Sequence, residues 1–144
     1  MRGGRARSRR SAALACAAVL VLGAAGCGSP SPDLFELVRS GEDPNANVEM
    51  LVNDGGTVTC NGRSHPLDSE RLVTARGLAR DLADHAALGI ELEPEPGSVL
   101  RYRVRTEAGT VAFADNSRGR PEAFDRLVAF ATDTIRSVCG IQRA

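Results

Sequence analysis

Ser64-His65, followed closely by Asp68 and Glu70, places a hydroxyl, an imidazole and two carboxylates within one short stretch. Such a set would suit nucleophilic hydrolysis, with His65 as the base for Ser64. The G-x-S-x-G elbow that exposes a serine of this kind is missing, and the surrounding residues favour turns. Ser64-His65 is therefore read as part of a loop, and a hydrolase is carried only as an alternative. Asp81 and His85 stand one helical turn apart and could share a metal ion, but a histidine near a helix C-terminus is more often a favourable charge position. Glu91, Glu93 and Glu95 could attract calcium, yet the Gly and Asp/Asn pattern of a calcium loop is missing. His65 and His85 are the only histidines, and no glycine-rich phosphate loop is present. The expectation is a non-enzyme with no metal and no cofactor.

The four cysteines are informative by position. Five arginines (Arg2, Arg5, Arg7, Arg9, Arg10) precede an apolar run from Ala12 to Gly26, and small residues then lead to Cys27. A basic head, an apolar middle and a small-residue exit are the three regions of an export signal. The run is too short for a membrane span, which needs about 20 apolar residues. Leu22-Gly-Ala-Ala-Gly-Cys27 resembles a bacterial lipobox, in which the cysteine is acylated and becomes the mature N-terminus, although Ala24 stands where leucine is commonest. Ser8-Arg9-Arg10 resembles a twin-arginine signal, but Ala12 and Ala13 are weakly apolar and general secretion is the better reading. The expected division is a signal over 1–26, a tether over 27–33 containing the stiff Gly28-Ser-Pro-Ser-Pro32, and one domain over 34–144. The protein is expected to be exported and held on the outer leaflet of the cell membrane by lipid on Cys27.

Cys16 leaves with the signal, so Cys60 and Cys139 remain in the domain. In an oxidising compartment such a pair is most simply a disulfide. Neither lies in a C-x-x-C, and structural zinc needs four ligands. Closing a loop of about 80 residues stabilises a fold by roughly 4–5 kcal/mol in the chain-entropy model.

The whole chain balances eighteen basic against eighteen acidic residues. Without residues 1–26 the balance is thirteen against eighteen, a net charge of −5, which argues against nucleic-acid binding. Every basic side chain is an arginine, which reads as coding bias more than as function. Arg101, Arg103 and Arg105 are the exception, because they alternate with Leu100, Tyr102 and Val104. Three guanidiniums on one open face of a sheet could hold an acidic protein or an anionic envelope polymer. The competing reading pairs them with acids on neighbouring strands.

The elements that position these residues follow from periodicity. Leu34 to Arg39 is expected as a first strand at a sheet edge. Val48 to Asn53 and Thr57 to Asn61 form a hairpin around Asp54-Gly55-Gly56. Only a three-residue loop, setting Val52 against Val58 and Met50 against Cys60, gives one apolar face, so Gly56 is expected at positive φ. Asp68 caps a helix carrying Leu72, Ala75, Leu78, Ala79, Leu82 and Ala86, which ends near Gly89. Glu93-Pro-Glu-Pro-Gly97 is a connection. A second hairpin turns at Thr106 to Gly109 and continues its inner face through Val111 and Phe113. Pro121 opens a last helix with the stripe Phe124, Leu127, Val128, Ala131, Ile135 and Val138, stopped by Gly140. The predicted fold is α+β, with order β-ββ-α-ββ-α and both helices on one face of an antiparallel sheet.

Leu51 to Gly62, Val99 to Asp115 and the closing Val138-Cys-Gly140 together resemble a family of uncharacterised actinobacterial lipoproteins. The resemblance implies the address and the fold but no activity. The order of elements is also similar to that of emfourin-type metalloprotease inhibitors, a topological analogy. The expected function is a surface-anchored, non-catalytic binding module. A small inhibitor-like domain is the sharper version, and a purely structural envelope component is a further reading.

Overall fold

In the computed structural model, residues 32–142 are described. The elements run β1 (Asp33–Gly41), β2 (Val48–Asn53), β3 (Thr57–Cys60), β4 (Arg63–Pro66), α1 (Ser69–Ala87), β5 (Leu100–Thr106), β6 (Gly109–Ala114) and α2 (Glu122–Ser137). The six strands make one antiparallel sheet in the order β4-β3-β2-β1-β5-β6. The fold is α+β, with the expected order of strands and helices plus one added short strand. The export signal, Cys27 and most of the tether lie outside the described residues.

Two expectations need correcting. β1 is not an edge strand: it lies between β2 and β5, with Val38 opposite Glu49 on one side and Arg103 on the other. It spans Asp33 to Gly41, longer than the predicted 34–39, and so offers both of its edges to partners. Ser64-His65 is not in a loop either. Asn61 and Gly62, at φ 48° and 80°, make a two-residue turn that folds Arg63–Pro66 back onto β3. Asn-Gly between extended segments is a strong hairpin signal.

The first hairpin has the predicted register, Met50 opposite Cys60 and Val52 opposite Val58, with Gly56 at φ 85°. Alternation then sends Phe35, Leu37, Met50, Val52, Val58, Tyr102, Val104, Val111 and Phe113 into one buried layer. Both helices cover that layer. α1 contributes Ala75, Leu78, Leu82 and Ala86, while α2 contributes Phe124, Leu127, Ala131 and Ile135. A column of rings ties sheet to helices: Tyr102 stacks on Phe113 at 5.2 Å, Phe113 on Phe124 at 4.7 Å, and Phe124 meets His85 edge-on at 5.5 Å. Such contacts add about 0.5–1.5 kcal/mol per pair beyond area burial.

Local signals fix the ends. Asp68 accepts the Arg71 backbone N–H at 2.9 Å and caps α1. Gly89, at φ 63°, ends it by donating to the Ala86 carbonyl. Gly109 allows β6 to start against the end of α1, since a Cβ there would lie 2.2 Å from the Ala86 carbonyl oxygen. Cys60 and Cys139 are disulfide-bonded, with Cα atoms 6.1 Å apart, so the end of α2 is fastened to β3. Arg39 is buried on the inner face, a placement that alternation alone did not single out. Its Nε donates to the Ala46 carbonyl and its Nη2 to the Asn45 carbonyl, both at 2.9 Å. The 42–47 loop therefore folds over the upper edge of the core.

Between the helices, Arg71 donates from Nη1 to Asp68 and from Nη2 to Asp133 at 2.8 Å. The backbone N–H and guanidinium of Arg71 hold the Asp68 carboxyl below its ordinary range. The Arg71 guanidinium lowers Asp133 in the same way.

Two outcomes follow for stability. Phe124→Ala removes the middle of the ring column and should cost about 3–5 kcal/mol, measured by denaturant unfolding with the disulfide intact. The depressed Asp68 and Asp133 carboxyls add stability that is complete above the ordinary pKa of 3.8 and is lost as pH falls through their lowered values. An acid titration of Tm should therefore fall less steeply for Arg71→Met than for the unaltered protein, because both carboxyls then titrate near their ordinary values.

Candidate functional site

The residues that first suggested hydrolysis do not assemble. On β4, Ser64 and His65 are neighbours and so project to opposite faces of the sheet. The Ser64 hydroxyl lies 3.0 Å from that of Thr59 on the outer face, while His65 pairs with the buried Val58 on the inner side. Asp68 is occupied as the helix cap. Asp81 is engaged by Arg126 at 2.8 Å, and His85 ends the ring column. Among the described residues, no three His, Cys, Asp or Glu side chains converge on a point where a metal ion could sit.

The second hairpin does what its alternation requires. Leu100, Tyr102 and Val104 are buried, and Arg101, Arg103 and Arg105 stand on the open face. Their surroundings differ. Arg105 is closed: its Nε donates to Glu36 Oε2 at 2.8 Å and its Nη2 lies 2.7 Å from the same oxygen. Glu36 is its direct partner across β1 and β5, so the cross-strand pairing reading holds for this arginine. Arg103 is flanked by Val38 and Ala112 and reaches Glu91 only at 3.9 Å, with both side chains well exposed. Arg101 sits between Ser40 and Ala114 and makes no ion pair among the described residues. The row is graded from a close ion pair at one end to a guanidinium with no ion pair among the described residues at the other, where Glu42 and Asp43 line the adjoining cleft.

Around the two looser arginines the face is concave. A groove of about 350 Å³ has Val38, Ser40, Arg101, Arg103 and Ala112 as floor and Glu91 to Pro94 as wall. The wall exists because the segment after α1 runs along the outer edge of β6. Leu92 donates to the Ala112 carbonyl at 2.8 Å, and Ala112 donates to Ile90 at 2.9 Å. The loop after β6 then holds it. Asn116 accepts the Glu95 N–H and donates to the Glu95 carbonyl, and Ser117 donates to the Glu93 carbonyl at 2.8 Å. This bracing also covers the β6 edge, while Pro66, which has no N–H, blunts β4 at the other.

Sequence reasoning found the arginines and missed the groove. By sequence Glu91, Glu93 and Glu95 are only weak calcium candidates and Glu93 to Gly97 a connection, and Glu95 pairs with Arg118 at 3.2 Å. The overlooked signal is Ile90-Glu-Leu-Glu93, a short apolar-polar alternation of the kind that adds to a sheet edge. Chemically, the groove offers a rigid, solvent-open cradle with two guanidiniums, suited to a carboxylate or phosphate.

The grading of the row can be checked by stability. Arg105→Ala breaks an exposed pair and should cost about 0.2–1 kcal/mol, whereas Arg101→Ala should leave the unfolding midpoint unchanged. Equal losses at both positions in denaturant melts would contradict the contrast drawn between them.

No protein family, curated protein or solved structure matches the chain, and its function is therefore argued from the geometry above.

Proposed function

We propose that this protein is a lipid-tethered, non-catalytic binding module of the bacterial envelope, which captures an anionic partner on its open sheet face. The observation that carries this reading is the braced groove over β5 and β1, where, among the described residues, Arg101 has no ion pair and Arg103 only a distant one. A cation left without a partner beside a preformed cavity needs little rearrangement to accept an anion, so less ordering cost opposes binding. Export and acylation rest on the run before Cys27 and agree with the disulfide between Cys60 and Cys139, a bond suited to an oxidising compartment. No helix among the described residues is long and apolar enough to cross a membrane. The resemblance to uncharacterised actinobacterial lipoproteins supports the address, and an inhibitor-like role would instead use the loops.

The experiment is co-sedimentation of the purified domain with isolated envelope material. The unaltered protein should sediment in a salt-sensitive manner. Arg101→Glu with Arg103→Glu should abolish this, while Arg105→Glu should retain most of it. Binding that survives the double reversal but is lost on altering the turn at Asp54 to Gly56 would favour the inhibitor-like role. Turnover of an ester or peptide substrate that disappears in His65→Ala would overturn the binding reading.

A further inference from the structure

The tether enters the domain at one end of β1, and the groove extends from the middle of that strand toward its other end. Pro32 is fixed to the fold through its carbonyl, which accepts the Asp54 N–H at 2.9 Å. Beside it lie α1, through Arg76, Ala79 and Arg80, and the turn at Glu107-Ala108. Between Cys27 and Pro32 there are only Gly28, Ser29, Pro30 and Ser31. Even fully extended, that connection reaches no more than about 18 Å. From Asp33, β1 runs nine residues to Gly41, about 26 Å along the strand. Arg101 is opposite Ser40 near that far end, while the closed Arg105 is opposite Glu36 near the tethered end.

Charge argues against the domain lying flat on its open face. Glu36, Glu49, Glu91 and Glu93 share that face or its rim with the three arginines. A flat anionic headgroup layer would meet all four acids at once. A single flexible chain can instead reach Arg101 and Arg103 while passing clear of Glu36 and Glu49 and meeting only Glu91 and Glu93 at the groove wall. We infer that the acylated chain stands with its Pro32 end toward the bilayer and its Arg101–Arg103 groove toward the outside, where the groove takes a phosphate- or carboxylate-bearing polymer of the envelope instead of lipid headgroups. This rests on the proposed lipid at Cys27 and on the groove as binding site.

A polymer fits better than a folded protein. Protein interfaces are anchored by buried aromatic side chains in pockets. Here the aromatic of β5, Tyr102, points into the core, and the groove offers only the exposed Val38 and the half-buried Leu92 as large aliphatic side chains. Arg101 and Arg103 are two residues apart on one strand, so their bases lie about 7 Å from each other. Successive charges of a flexible polyanion can meet both.

The test has two arms. The full acylated chain is reconstituted in vesicles of phosphatidylcholine with phosphatidylglycerol and a lipid-borne energy acceptor, with a donor on a cysteine added at Ala108 or at Val99. Energy transfer from Ala108 should be at least about twice that from Val99, given a separation near 26 Å along the strands. Equal or reversed transfer from a chain whose mass confirms lipid on Cys27 overturns the orientation alone. A chain whose mass shows no lipid there overturns it together with the proposed anchoring. In the second arm, unacylated Cys27→Ser is titrated with soluble polyphosphate and, separately, with phosphatidylglycerol vesicles. Polyphosphate should bind, Arg101→Glu with Arg103→Glu should weaken it about tenfold, and the vesicles should not be bound. Vesicle binding lost on the same reversal assigns the groove to headgroups and overturns the inference, as does binding of neither probe.

Discussion

A sheet whose strands alternate apolar and polar side chains can bury only one face when both helices are spent on the same side. In this domain that constraint is enforced by the ring column from Tyr102 through Phe113 and Phe124 to His85, which joins β5, β6, α2 and α1. Once Tyr102 is inside, Arg101 and Arg103 must be outside. The disulfide between Cys60 and Cys139 completes the arrangement by fastening the end of α2 to β3 on the buried side. Exposure of the arginines is thus a consequence of the core.

Position along the sheet separates the three arginines further. β1 sits in the middle, so its outward side chains become direct neighbours of those on β5. Glu36 meets Arg105 and neutralises it, whereas Val38 and Ser40 meet Arg103 and Arg101 and leave them available. The same outward row supplies the floor of the groove, and the braced Glu91–Pro94 segment supplies its wall. A grouping of this kind needs no nucleophile and no metal to be useful. In the proposed reading its chemistry is the recognition of negative charge.

Most of the fold was legible from residue patterns. The register of the first hairpin could be derived because only one loop length puts Val48, Met50, Val52, Val58 and Cys60 on a single face. The inward direction of Cys60 followed, in agreement with the bond to Cys139 that the cysteine count already suggests. The position of β1 was not legible, since pairing on both edges depends on β5, some sixty residues later in the chain, and leaves no local trace. β4 was missed although Asn61-Gly62 announces a turn, because Arg63, Ser64, His65 and Pro66 lack apolar alternation. The candidate site was half legible. Alternation exposes the arginines, but which of them is closed depends on Glu36 and Glu91 arriving from elsewhere in the chain.

The claim that the open sheet face is the recognition surface is tested most directly by following backbone amide resonances while a soluble polyanion is titrated into the unacylated chain. The account predicts shifts concentrated at Val38, Ser40, Arg101, Arg103 and Ala112 and reversed by salt, with the outer groove between α1 and α2 around Gly77 and Ala129 unmoved. Shifts confined to that helical groove, or spread evenly over every exposed arginine, would contradict it.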